Sequence, residues 1–159
     1  MVDAAMNQQQ GFAELCQAET AHVLRLVELL QQEQQVMIAG QVHLLEALAD
    51  SKSQVLDELA RQSQQRGQLM KTLGLSDSDT VYIWLADKPA ERQAWLALED
   101  QIHRAQGINQ LNGSFIEQQL GQVEESLTVL RQAAAATLSY DRGGQQPQPV
   151  GGRRFLGSA

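Results

Sequence analysis

Residues 12–37 read FAELCQAETAHVLRLVELLQQEQQVM, and this stretch decides the fold class. Its large apolar residues recur at steps of three, four, seven or eight, the spacing that keeps one side of an α-helix apolar. They are Phe12, Leu15, Val23, Leu26, Leu30 and Met37. The pattern predicts a long amphipathic helix over residues 11–38.

The same periodicity restarts after Ala39-Gly40. Glycine is the residue most often found just past a helix end, so a second helix is predicted over residues 42–73. Because the connection is short, the two helices must run antiparallel. The apolar stripe weakens over residues 62–66, where either a partner helix ends or the helix end projects into water.

Two further helices are predicted after Gly74. A short one covers residues 79–86 and is preceded by Ser and Asp side chains suited to an N-cap. A third long helix covers residues 89–138, because Pro89 suits the first position of a helix and Asp87 can cap it. The predicted fold is all-α: an antiparallel long helical hairpin plus a third long C-terminal helix, together a three-helix, coiled-coil-like bundle.

Residues 140–159 differ in composition from the rest of the chain. They hold five glycines and two prolines, and three arginines against one aspartate give them a charge of +2. Since the whole chain carries −7, residues 1–139 carry −9. We therefore expect one helical domain over residues 1–139, followed by a flexible basic tail.

Charge and hydropathy exclude several classes of partner. The excess of 19 acidic over 12 basic residues repels phosphate backbones, so no nucleic acid partner is expected. No stretch approaches the ~18 consecutive apolar residues of a membrane span, so no membrane insertion is expected. A single cysteine and an N-terminus without signal-peptide features indicate a cytoplasmic protein.

Few side chains suggest chemistry. Three Glu and His pairs have helical spacing, but a di-metal site in a helical bundle needs two Glu-x-x-His units and only one pair has that order. The pairs are Glu19 with His22, His43 with Glu46, and Glu99 with His103. Cys16 lies among apolar neighbours and is predicted to be a small core residue. We therefore expect no catalytic residue, no metal and no cofactor, and no enzyme activity.

Asn109 and Asn112 interrupt the apolar stripe of the third long helix. They are three residues apart and so face the same way. A buried Asn can fix the register of packed helices at some cost in stability. The same amides could instead bind a partner's backbone beside apolar anchors. The sequence leaves both interpretations open.

The most distinctive motifs lie in the last third of the chain. They read NQLNG at 109–113, IEQQ at 116–119, LTVL at 127–130, TLSYDRGGQ at 137–145 and GGRR at 151–154, with KSQVL at 52–56 in the second helix. In order and spacing this set resembles the FlgN-type flagellar export chaperones. Two positions depart from the family pattern: Ser139 separates Thr-Leu from the tyrosine, and Val55 replaces a leucine.

The resemblance implies a cytoplasmic chaperone that binds the C-terminal helical segments of the hook-filament junction (hook-associated) proteins. Such a chaperone prevents premature assembly of these proteins, here called cargo, and delivers them to the flagellar type III secretion apparatus. It also implies that Tyr140 docks on that apparatus, at the export gate or at the ATPase-associated stalk protein. The alternatives are a generic coiled-coil scaffold or adaptor and a sister chaperone for the filament cap protein.

The cargo surface is expected on the third long helix, because leaving its apolar stripe exposed to water is unfavourable in free energy and a partner helix could cover it. The expected cargo-binding residues are Ile108, Asn109, Leu111, Asn112, Phe115, Ile116, Leu120, Val123, Leu127 and Leu130. The sequence leaves open whether this helix folds back on the hairpin or reaches into a neighbouring molecule, since either arrangement buries the same stripe. The oligomeric state stays open with it.

Overall fold

The protein consists of helices joined by short turns in the part of the chain that its structure, a computed structural model, describes. That part is the backbone of residues 2–142 and the side chains of residues 2–135. The elements are α1 (Val2–Ile38), a 3-10 turn (Val42–Leu44), α2 (Leu45–Thr72), α3 (Ser78–Leu85) and α4 (Pro89–Arg142). Long helices pack against each other, so the predicted all-α bundle is confirmed.

Two helices are longer than their apolar patterns indicate. Helix α1 begins at Val2, and α4 continues to Arg142. The extension of α1 is rich in Ala and Gln, which favour helix without contributing an apolar stripe. The extension of α4 beyond the predicted end is four residues long, 139–142. Tyr140, placed at the start of the expected tail, therefore belongs to α4, and residues 143–159 of that tail lie outside the described residues.

The chain divides into two compact units, Met1–Asn112 and Gly113–Ala159, with the boundary inside α4. In the first unit, α1 and α2 form an antiparallel hairpin. Arg66 Nε lies 2.5 Å from a Glu19 carboxylate oxygen, and Lys52 Nζ lies 2.6 Å from a Glu33 carboxylate oxygen. The residue numbers of the paired side chains increase along α1, from 19 to 33, and decrease along α2, from 66 to 52. The two helices therefore run antiparallel, as predicted from the short connection.

The turn after α1 depends on Gly40, whose φ is +70°. The Gly40 amide donates to the Met37 carbonyl, and the Gln41 amide donates to the Val36 carbonyl. This pair of bonds is the Schellman motif, in which a left-handed residue ends the helix. Glycine adopts that conformation without the strain that a Cβ introduces.

Replacing Gly40 by alanine should lower the free energy of unfolding by about 1–2 kcal/mol, the cost of a left-handed L-residue. Crowding contributes nothing, because an added Cβ would meet no atom within 4 Å at Gly40 or at Gly67. Gly67 lies inside α2, so Gly67→Ala is the matched control and should stabilise by about 0.5–1 kcal/mol. Urea denaturation measures both changes, and changes of the same sign would contradict this account of the turn.

The core of the first unit is built around Phe12, which is fully buried. Its ring centroid lies 5.0 Å from that of Trp84 on α3, edge to face, and 5.9 Å from that of Trp95 on α4, stacked. Helix α3 is fixed at its start by a capping box in which Asp77 and Thr80 bond each other's backbone amides. The three aromatic rings thereby connect α1, α3 and α4.

Helix α4 runs parallel to α1 within the first unit. Trp95 contacts Phe12 near the start of α4, and Asn112 donates to the Leu30 carbonyl further along. The residue numbers of the contacting pairs thus increase along both helices. Asp87, the expected cap of α4, instead pairs with Lys88, its neighbour in the chain.

The weak stretch of α2 at residues 62–66 contains Arg66, which packs against both neighbouring helices. The Arg66 guanidinium binds Glu19 of α1 and lies 5.5 Å from the Trp95 ring centroid of α4. The apolar stripe weakens here because a buried ion pair, stacked on an aromatic ring, occupies the place of an apolar contact.

Candidate partner-binding surface

Helix α4 carries a near-heptad series whose exposure changes along its length. In the first unit, Leu98, Ala105 and Asn112 are buried at seven-residue intervals. In the second unit the series continues in steps of four and three. We call Ile116, Leu120, Val123, Leu127 and Leu130 the exposed seam. Four of these side chains are 45–59% exposed, and Leu127 is partly buried.

The exposed seam is therefore an apolar helix face that the described residues leave largely open to solvent. Five large aliphatic side chains within 15 residues have the spacing of a two-stranded coiled coil, and such a face has the geometry to accept one further helix. These five residues are the part of the expected cargo surface that forms one largely exposed apolar face.

Other residues of the expected cargo surface lie elsewhere on α4. Ile108 is partly buried against the core, and Phe115 is partly buried. Leu111 is 62% exposed, but at 100° per residue it lies about 180° around the helix from Leu120. The ten expected residues therefore do not share one face.

Asn112 is committed to contacts inside the first unit. It is only 1% exposed, and its Nδ2 donates to the Leu30 carbonyl at 2.9 Å and to a Glu33 carboxylate oxygen at 3.0 Å. Glu33 also accepts from Lys52 of α2, so the network connects all three long helices. The structure thus favours the register interpretation of Asn112, and its amide is not offered to a partner.

Asn112→Ala should lower the free energy of unfolding by about 1–3 kcal/mol, because it removes the buried amide that donates to the Leu30 carbonyl and to the Glu33 oxygen that Lys52 does not bind. Asn109→Ala is the matched control, since Asn109 is exposed, and its effect should stay within about 0.5 kcal/mol. Urea denaturation of both variants gives the comparison. Equal effects would mean that the buried amide does not hold α4 in register.

A groove of about 450 Å³ lies in the first unit, among α1, α2 and α4. Its apolar residues include Val23, Leu26, Leu30, Leu56, Leu59 and Ile102. Asn109 lines it, and its charged lining residues Glu19 and Lys52 are each paired with an opposite charge. The groove is therefore apolar and carries no unpaired charge.

Two of the residues considered for chemistry, Cys16 and Glu19, are buried in the core of the first unit. Burial raises the pKa of the Cys16 thiol to about 12, an effect that the nearby Arg66 charge only partly opposes. Cys16 is therefore an uncharged core residue at neutral pH, as its apolar neighbours predict. The Glu19 carboxylate is held by Arg66, and no three His, Cys, Asp or Glu side chains converge as a metal site within residues 2–135.

Tyr140 lies on the last turns of α4, and its side chain falls outside the described residues. Its docking function therefore stays a prediction. Among residues 2–142, no helix combines the length and the apolar content needed to cross a membrane.

Comparison with known proteins gives a single type of match. Neither curated proteins nor solved structures include a match to this chain. A family model described as FlgN protein matches residues 6–148, nearly the whole chain and all of the motifs quoted above except the final GGRR. The general function of that family is chaperoning in flagellar export. The chain belongs to the FlgN family.

Proposed function

We propose that this chain is a cytoplasmic chaperone for the hook-filament junction proteins. It binds their C-terminal helical segments, prevents premature assembly, and delivers them to the flagellar type III secretion apparatus. Family membership supports the export function in general. The observation that carries the finer proposal is the exposed seam, an apolar coiled-coil face on which four of five side chains are about half exposed.

The seam has enough apolar surface to anchor a helix. Full burial of an aliphatic side chain gains about 1.5–3 kcal/mol, so covering the four half-exposed ones gains roughly 3–6 kcal/mol before the cost of association. That cost is itself several kcal/mol, so the cargo helix must add contacts of its own. The seam then supplies register and part of the affinity, as in other helix-on-helix complexes.

The binding test is a calorimetric titration of the full chain with C-terminal segments of both junction proteins and of the cap protein. Binding of the junction segments in preference to the cap segment supports the proposal. Preference for the cap segment would favour the sister chaperone instead. If a folded chain bound none of the three segments, the scaffold alternative would take its place.

Delivery is proposed to use Tyr140, as the family resemblance implies, at the export gate or the ATPase-associated stalk protein. We expect Tyr140→Ala to reduce secretion of the junction proteins severalfold while cargo affinity is unchanged, because the exposed seam ends ten residues earlier. Secretion assays and titrations on the same variant measure the two effects. Tyr140→Phe is the control that keeps the ring. Normal secretion by the alanine variant would remove Tyr140 from the proposal.

A further inference from the structure

We propose that in the free protein the exposed seam pairs with the same seam of a second copy, as a short antiparallel coiled coil that cargo displaces. The self-pairing is independent of the proposed function. Only its displacement by cargo rests on that function.

The spacing of the seam favours a single helix as its partner. From Ile116 to Leu130 the apolar positions alternate by four and three residues, the narrow pattern of a coiled-coil seam. A helix that packs against a broad core usually shows a wider apolar stripe. Here polar residues border the seam on both sides: Glu117, Glu124 and Arg131 on one edge, and Gln119 and Ser126 on the other.

The charges along the seam indicate a second copy in antiparallel orientation. If Val123 of one copy faces Leu127 of the other, a two-fold axis places Glu117 of each copy beside Arg131 of the second copy. Two attractive pairs then form, against one repulsion where the two Glu124 side chains meet. In the parallel orientation Glu117, Glu124 and Arg131 face only uncharged residues, so no attractive pair forms.

The two-fold axis makes each contact between two different residues occur twice, and each copy covers the seam of the other. In this register Leu120 also faces Leu130 of the second copy, so every leucine of the seam packs against an aliphatic side chain. The seam is only five residues long, which makes the dimer weak and leaves it open to a longer cargo helix. Self-pairing would thus keep the seam covered until cargo is available.

The first test is sedimentation equilibrium of the full chain over a wide concentration range, from low micromolar upward. We expect a reversible monomer–dimer equilibrium whose association constant falls at least tenfold in Leu120→Glu/Leu127→Glu. The matched control is Val129→Glu, because Val129 is 62% exposed and lies about 180° around α4 from Leu120. Circular dichroism reports whether each variant keeps its helix content.

Cysteine pairing tests the orientation. Under mild oxidation, Val123→Cys/Leu127→Cys should crosslink two copies, whereas Leu127→Cys alone should not, because antiparallel copies hold the two 127 positions in different layers. Cys16 is buried and does not compete. Efficient crosslinking of Leu127→Cys alone would overturn the antiparallel arrangement.

The remaining outcomes are decisive. A monomer at every concentration, or a dimer unaffected by Leu120→Glu/Leu127→Glu in a helical protein, overturns the self-pairing. A dimer that binds a junction-protein segment without dissociating overturns the competition. A dimer that dissociates normally on dilution but binds no segment leaves the self-pairing intact and contradicts only the proposed function.

Discussion

Ile116→Asp/Val123→Asp is expected to weaken binding of the junction-protein segments at least about a hundredfold, equivalent to about 3 kcal/mol. The two substitutions remove two apolar contacts from the exposed seam, each worth up to about 1.5–3 kcal/mol. They also place two carboxylates where a cargo helix would exclude water, which adds a desolvation cost. Titration calorimetry with each junction-protein segment measures the loss.

Two features of the chain make this experiment selective. Val129→Asp adds one charge on the side of α4 that faces away from the seam, and we expect its affinity to stay within about twofold of the parent. Both tryptophans, Trp84 and Trp95, pack around Phe12 in the first unit, so their fluorescence reports that unit alone. Unchanged tryptophan emission together with lost binding assigns the effect to the seam. Binding that survived both aspartates would exclude the seam as the cargo site.

Periodicity predicts the long helices because apolar residues at steps of three and four lie on one side of an α-helix. It fails where a helix lacks that pattern. Residues 2–10 favour helix by composition but do not form an apolar stripe, and residues 139–142 add no apolar stripe either. The extensions of α1 and α4 therefore appear only in the structure.

The sequence predicts the apolar stripe of α4 but not which residues of that stripe are buried and which are exposed. Asn109 and Asn112 are equivalent in sequence, being one helical turn apart on the same side of α4. Packing distinguishes them: Asn112 meets the Leu30 carbonyl of α1, whereas Asn109 lines the groove. Pairings across 79 or 82 residues of chain leave no mark on local sequence, so only the fold assigns them.

The same limit applies to the charged residues of the hairpin. Glu19 and Glu33 lie 14 residues apart on α1, and their partners Arg66 and Lys52 lie 14 apart on α2. Each pair thus falls two heptads from the other, with an apolar layer between them. In the sequence such residues resemble a solvated face, whereas in the fold they fix the register of α1 against α2.

Arg66→Leu is expected to lower the free energy of unfolding by about 3–5 kcal/mol, because it leaves the Glu19 carboxylate buried without a counter-charge. The side chain of Glu19 is 5% exposed, so water cannot replace the guanidinium. Glu19→Leu/Arg66→Leu removes both charges and should recover most of the loss, since an apolar pair avoids the desolvation cost of the ion pair. Urea denaturation followed by tryptophan fluorescence measures both variants.

The matched control is Arg25→Leu, which breaks the exposed pair between Arg25 and Glu28 of α1. Both of those side chains are more than half exposed, so water and salt screen the charge left behind, and the loss should stay below about 1 kcal/mol. If Arg66→Leu cost no more than Arg25→Leu, the ion pair at Glu19 would not be buried in solution. If the double variant were as unstable as Arg66→Leu, the destabilisation would come from lost packing of Arg66 on Trp95 instead of from the unpaired carboxylate. Recovery in the double variant would show that this ion pair adds little to the stability of the hairpin.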